Sequence, residues 1–389
     1  MKFCISVKKT VCIIISMLCV LYVTGAAGIA AFADEDDLLS DTDARAALVT
    51  ELESGSVICA HGENEKLSMG HMAKLMTLLI CAERLRSGEL SLSDEVSVSD
   101  CVSDLPSPMI WLEKGELITV EELVKAIAMG NSNDACAVLA EKLSESGEAH
   151  IEMLNARAAA LGMVNTHFAD VCGLDERTVS TAADIALMMK ALSKHDELTG
   201  YFTAWIDNVR DGRTELVNTD RLVRSCKGIT TGKFCSEKGG HSLVLTAERS
   251  GMNFCIVLLG SADKDGTFAA ARDILDTCAE GYRLYKPETE KELLAPVPVT
   301  NGTKHEVRVK ESAFEGVLLP RGASARTEFT ASIPESVEAP VAKGRRLGSI
   351  VYTLDGEQIA EVTLEAAEDV GRMDWGFGIY RCLCNMFKM

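Results

Sequence analysis

Strand patterns that bracket a long helical stretch constrain this 389-residue chain most. Ala46-Ala-Leu-Val-Thr-Glu-Leu and Val57-Ile-Cys-Ala flank Glu53-Ser-Gly-Ser, the pattern of a β-hairpin. Far downstream, His241-Ser-Leu-Val-Leu-Thr-Ala-Glu and Phe254-Cys-Ile-Val-Leu-Leu-Gly suit adjacent antiparallel strands joined through Arg249-Ser-Gly-Met. Four amphipathic helices are predicted between them. They run from near His71 to Arg84–Gly88, over Val120–Ile127, over Ala135–Leu143, and over Ala183–Leu192 behind the capping pair Ser180-Thr181. A sheet made from both ends of this region and covered by the intervening helices satisfies that order, an α+β fold. Beyond Tyr285-Lys286-Pro287-Glu288 the helical signals fade. Residues from about 290 to 366 read as a small all-β module of short strands and turns.

The two termini read differently from the rest. Lys2, Lys8 and Lys9 precede the apolar run Val11–Val23, and Ala31-Phe32-Ala33 forms a small-x-small cleavage site before an acidic stretch. This is the pattern of a secretory signal peptide over residues 1–33, and the run is too short for an ordinary membrane span. At the other end, Trp375, Ile379, Leu383 and Phe387 recur every four residues beside Arg372, Arg381 and Lys388. Residues 367–389 therefore suit an amphipathic helix at a membrane surface, with contact through 372–389.

The formal net charge is −19, and the three unaccompanied lysines of the signal bring the remainder to −22. Such a balance argues against a nucleic-acid partner. Eleven of the 14 cysteines lie beyond the signal with no repeating spacing and no Cys-x-x-Cys pair, so they read as small buried hydrophobes. The seven histidines contain no His-x-x-x-His spacing, and no phosphate-binding glycine loop is present. No metal and no cofactor is expected. His167 and Asp170 read as members of a structural loop.

Three short segments carry the chemistry: Gly70-His-Met-Ala-Lys-Leu-Met-Thr, Asn131-Ser-Asn-Asp-Ala and Gly228-Ile-Thr-Thr-Gly. Their order and spacing match Ser-x-x-Lys, Ser-x-Asn and Lys-Thr-Gly, the triple of penicillin-recognising serine enzymes. Asn133-Asp-Ala-Cys-Ala-Val-Leu-Ala-Glu, Leu161-Gly-Met through Thr166-His-Phe and Gly173-Leu, Ser180-Thr-Ala-Ala-Asp, and Leu216-Val-Asn-Thr-Asp extend the match. At these residues the chain resembles the D-alanyl-D-alanine carboxypeptidases, the low-molecular-mass penicillin-binding proteins, over about residues 43–366. The resemblance implies a transpeptidase-type fold over 34–285, a β-domain over 286–366 and a C-terminal anchor. It also implies a peptidoglycan stem peptide ending in D-Ala-D-Ala as substrate, and an acyl-serine intermediate.

Each motif departs from the pattern. His71 stands at the nucleophilic serine, Asn131 at the second serine and Thr230 at the third-motif lysine, while Lys74, Asn133, Thr231 and Gly232 are kept. An acyl-enzyme needs a nucleophile beside a base, and positions three apart on a helix share a face, which sets residue 71 against Lys74. Imidazole is a poor replacement for a hydroxyl against an intact amide. Ser68 reads as a turn or capping residue, and Ser132 is displaced by one position from the shuttle it would replace. Lys227 and Lys233 each lie three residues from Thr230, so a regular strand turns them to the opposite face. The expected catalytic positions are His71, Lys74, Asn131 and Asn133, and the expected substrate-binding positions are Thr230, Thr231 and Gly232. The sequence reads as an exported family member with impaired catalysis and a retained peptide cleft. An active hydrolase with a remodelled centre and a non-catalytic envelope protein are the alternatives.

Overall fold

A computed structural model describes residues 38–144, 146–237 and 239–373. The expected signal peptide and residues 374–389 of the expected C-terminal helix lie outside the described residues, whereas residues 367–373, expected to begin that helix, are not helical and instead bridge to the β-domain through Val341↔Val370 and Gly302↔Arg372. A five-stranded antiparallel sheet organises the first part. Its strands are β1 (Ala46–Glu51), β2 (Val57–His61), β3 (Ile229–Glu237), β4 (Gly240–Arg249) and β5 (Met252–Ser261), in the order β2-β1-β5-β4-β3. The predicted hairpin and the two downstream strands thus meet, β1 pairing with β5 from Ala46↔Leu259 to Glu51↔Phe254. β3 is left as an edge.

Helices cover both faces of the sheet. On one lie α1 (Lys74–Ser87), α2 (Val120–Gly130), α3 (Asn133–Leu143), α4 (Gly147–Ala160) and α5 (Ala182–Leu192). They share a core with Val244, Cys255, Val257 and Leu259, alternate residues of the central strands. The residues between them, among them Leu243, Leu245, Ile256 and Leu258, point the other way onto α6 (Lys264–Gly281) through Phe268, Ala271, Ile274 and Leu275. α2 starts at a capping box in which Thr119 Oγ1 accepts from Glu122 N–H and Glu122 accepts from Thr119 N–H. α1 ends at Gly88, whose φ of +77° is the left-handed C-terminal stop that glycine provides.

After α6 the chain is all strand and turn. Tyr282–Tyr285 pairs with Val317–Pro320, and Leu318 reaches back into the α6 core. A three-stranded sheet around Val297–Thr300 and a four-stranded sheet built on Arg346–Leu354 and Glu357–Ala366 enclose two small cores. Among the described residues no helix is long and apolar enough to cross a membrane.

Candidate active site

The three motifs converge where α1, α2 and α3 begin or end against β3. Gly70–Ala73 forms a 3-10 turn that runs directly into α1. Residues i and i+3 eclipse one another in such a turn, which stacks His71 over Lys74. Lys74 Nζ lies 2.7 Å from His71 Nδ1. Gly70 has φ +48° and is wedged between two neighbours: a Cβ there would meet the Glu237 carboxyl group at 2.7 Å. On its other side a Cβ on Gly173 would sit 1.8 Å from Gly70 O. Only glycine at 173 allows that approach. Ser68 serves the turn, its Oγ accepting from Gly70 N–H at 3.4 Å.

The amines and the imidazole of the site are largely buried. Lys74 is fully buried, and desolvation pulls its pKa below the ordinary lysine range. His71 is lowered to about 3, first by burial and then by the charges of Lys74 and Lys233, so it is a neutral imidazole at pH 7. The other ring nitrogen, Nε2, lies 3.7 Å from Glu237 Oε1. Burial raises the Glu237 carboxyl above its usual range. Cys136, Cys172 and Cys235 lie around Lys74, with Glu237 beyond them.

Asn131 ends α2 with φ +56°, a left-handed position that asparagine tolerates better than most residues. Its Nδ2 donates to Phe234 O at 2.9 Å, tying the helix end to the edge strand, while Oδ1 is buried without a partner. The Ser132 hydroxyl turns away to Asp134 Oδ1. Asn133 opens α3; its backbone N–H reaches Pro108 O and its Nδ2 reaches Pro106 O, both at 2.7 Å. Asp134 accepts from the N–H groups of Ile110 and Leu112. The two residues pin the 106–112 loop beside the second motif.

The third motif corrects the sequence expectation. The β3–β4 register shifts between Thr246 and Ala247, so Thr230 is an extra residue at a bulge. Its hydroxyl pairs with Thr246 Oγ1 at 2.7 Å, and with Thr231 it lines a separate polar cavity of about 150 Å³. Gly232 packs under Asp220, whose Oδ2 would lie 2.1 Å from a Cβ there. Lys233, expected to turn away from the site, enters it instead. Thr231, Lys233, Cys235 and Glu237 alternate along one face, which brings Cys235 against Met69 O and Glu237 toward His71. Lys233 Nζ is fully buried and donates to the carbonyls of Ile127 and Ala128 near the end of α2. An amine therefore returns to the site from a position three residues downstream. Burial, followed by the charge of Lys74, pulls its pKa well below the ordinary value. The alternation from Thr231 holds because the bulge takes up Thr230; counting from Thr230 as though the strand were regular turned Lys233 the wrong way.

Asp170 organises a loop, as its place in the sequence suggested, by accepting from Cys172 N–H, Leu174 N–H and Thr178 Oγ1. His167 joins Val179 in an isolated β-bridge. Among the described residues no cluster of His, Cys, Asp or Glu could hold a metal ion.

Comparison with known proteins gives this arrangement its family. The sequence profile of D-alanyl-D-alanine carboxypeptidases matches residues 31–263, more than half of the chain, and that of the penicillin-binding protein 5 C-terminal domain matches residues 282–372. The chain belongs to the D-alanyl-D-alanine carboxypeptidase family. It is 30% identical to the carboxypeptidase DacF of Bacillus subtilis, over 84% of this chain and 86% of that protein. It is 28% identical to DacC of Escherichia coli, over 87% and 88% respectively. Penicillin-binding protein 5 of Haemophilus influenzae superposes with a TM-score of 0.77 at 22% identity, covering 85% of this chain and 98% of that one. The expected α+β fold with a C-terminal all-β domain is thereby borne out.

Proposed function

We propose that this carboxypeptidase-family protein of peptidoglycan metabolism is exported, is catalytically impaired and retains a cleft for stem peptides ending in D-Ala-D-Ala. One observation carries the reading. The lysine that would deprotonate a serine hydroxyl is hydrogen bonded to the imidazole of His71 instead, at 2.7 Å. A neutral imidazole there accepts a proton but offers no alkoxide, and any acyl-imidazole formed is unstable. Loss of the nucleophile from a working serine protease costs on the order of 10⁶ in turnover. The other departures add to it: Asn131 supplies an amide tied to Phe234 O, and Lys233 supplies an amine with its hydrogen bonds directed at the protein's own backbone. In favour of a retained cleft are the edge position of β3, which can add an extended peptide by main-chain bonds, and the orphaned Oδ1 of Asn133.

The test is incubation of the exported chain with fluorescent penicillin and with a peptide ending in D-Ala-D-Ala. No covalent label and no released D-Ala above a Lys74→Ala control is the expected result, with measurable muropeptide binding. Labelling or release above that control sinks the impaired-enzyme reading. Absence of muropeptide binding sinks the retained cleft.

A further inference from the structure

Beneath the cleft lie two thiols that the proposed function does not use. Cys136 is on α3, one turn beyond Asn133, and Cys172 is on the loop that packs Gly173 against Gly70. Cys136 Sγ donates to Val171 O at 3.3 Å, and Cys172 Sγ donates to Asn133 O at 3.5 Å. Each thiol thus reaches the backbone beside the other. Both are buried, at 0% and 1% exposure. Two thiols on separate segments, each reaching the main chain that flanks the other, are brought close enough together to be a candidate pair for a covalent bridge.

We propose that Cys136 and Cys172 form an oxidisable dithiol under the cleft, converted to an intramolecular disulfide by a low-molecular-weight disulfide. Cys136 is the attacking group. The neighbouring Cys172 thiol holds it below the usual range against the opposing effect of burial, and nearby Lys74 adds to the lowering. Cys136 in turn, seconded by burial, holds Cys172 well above its usual range. Local opening of the 169–174 loop admits the reagent RSSR. The Cys136 thiolate attacks one sulfur, the S–S bond breaks, and RS⁻ leaves with the proton that Cys136 has lost. Cys172, on losing its own proton, then attacks the Cys136 sulfur of the mixed disulfide and releases the second RSH. The two protein thiols give up two electrons, and RSSR becomes two RSH. The bridge fastens the loop behind His71 to the helix that begins at Asn133.

The experiment treats the reduced, folded chain with oxidised glutathione, alkylates the remaining thiols after denaturation, and maps the peptides. The expected product carries a Cys136–Cys172 link, has lost two hydrogen masses, reverts with dithiothreitol, and melts several degrees above the reduced form. Cys172→Ala traps glutathione on Cys136; Cys136→Ala leaves Cys172 unmodified. Recovery of both cysteines alkylated from a sample in which half-buried Cys101 has reacted overturns the proposal, as does a link from either cysteine to any other residue. The wild-type map decides the matter even if a variant fails to fold. It reads neither turnover nor ligand binding, so it stands apart from the test of the cleft.

Discussion

At the scale of single residues, the site is held by contacts with little tolerance. Gly173 lies against Gly70 O, and its φ of +76° already disfavours a side chain. Gly173→Ala forces backbone apart at the foot of His71 and is expected to cost on the order of 3 kcal/mol, read as a lower urea midpoint. Asp220 supplies a pH signature. Burial raises its carboxyl to about 6, and Oδ2 has no partner. Below the unfolded-state pKa both states hold the proton, and between there and pH 6 only the folded state does. Its contribution is therefore full at low pH and is lost as pH rises through about 6. His71 and His150, lowered to about 3 and about 4 chiefly by burial, act in the opposite sense. Their contribution is present above the unfolded histidine pKa and is lost as pH falls toward those values. Asp220→Asn is thus expected to gain on the order of 2 kcal/mol at pH 7 and to unfold more steeply on acidification between pH 6 and 4. Denaturant melts across that range check both signs.

At the scale of elements, local chemistry and tertiary packing divide the work. The Thr119–Glu122 capping box starts α2, so Thr119→Ala is expected to cost about 1 kcal/mol without altering muropeptide affinity. The comparison pairs a thermal melt with a binding isotherm. Hairpin β1–β2, strands β4 and β5 and four of the site-face helices were legible because their apolar residues recur at strand or helix periods and their caps are explicit. α4 and α6 were not anticipated. α4 buries only His150, Leu154 and Ala158, a thin stripe in a polar sequence, and α6 relies on alanines for much of its buried face. The bulge at Thr230 lay beyond sequence reasoning, since register depends on how β4 pairs with β3 and not on either strand alone. That one shift decides that Lys233 and not Thr230 faces the site, and with it which residue supplies the third-motif amine. The loss of the serine, by contrast, was visible directly, and so was the stacking of His71 on Lys74.

At the scale of the molecule, the proposed export and surface anchoring rest on the two ends of the chain. The signal pattern predicts a mature N-terminus at Asp34, which N-terminal sequencing of the secreted protein checks. Deleting residues 374–389 is expected to move the protein from the membrane fraction to the soluble fraction without changing its melting temperature. A truncated chain that stays with the membrane removes the anchor reading. The remainder is strongly acidic and would be repelled by anionic lipid, so the anchor reading assigns membrane contact to the small basic, aromatic tail alone.

The amide of Asn131 occupies Phe234 O on the open side of β3. A guest strand laid along this border finds one rung of the ladder already claimed by the host. It must begin its pairing elsewhere or dislodge a helix terminus to do so.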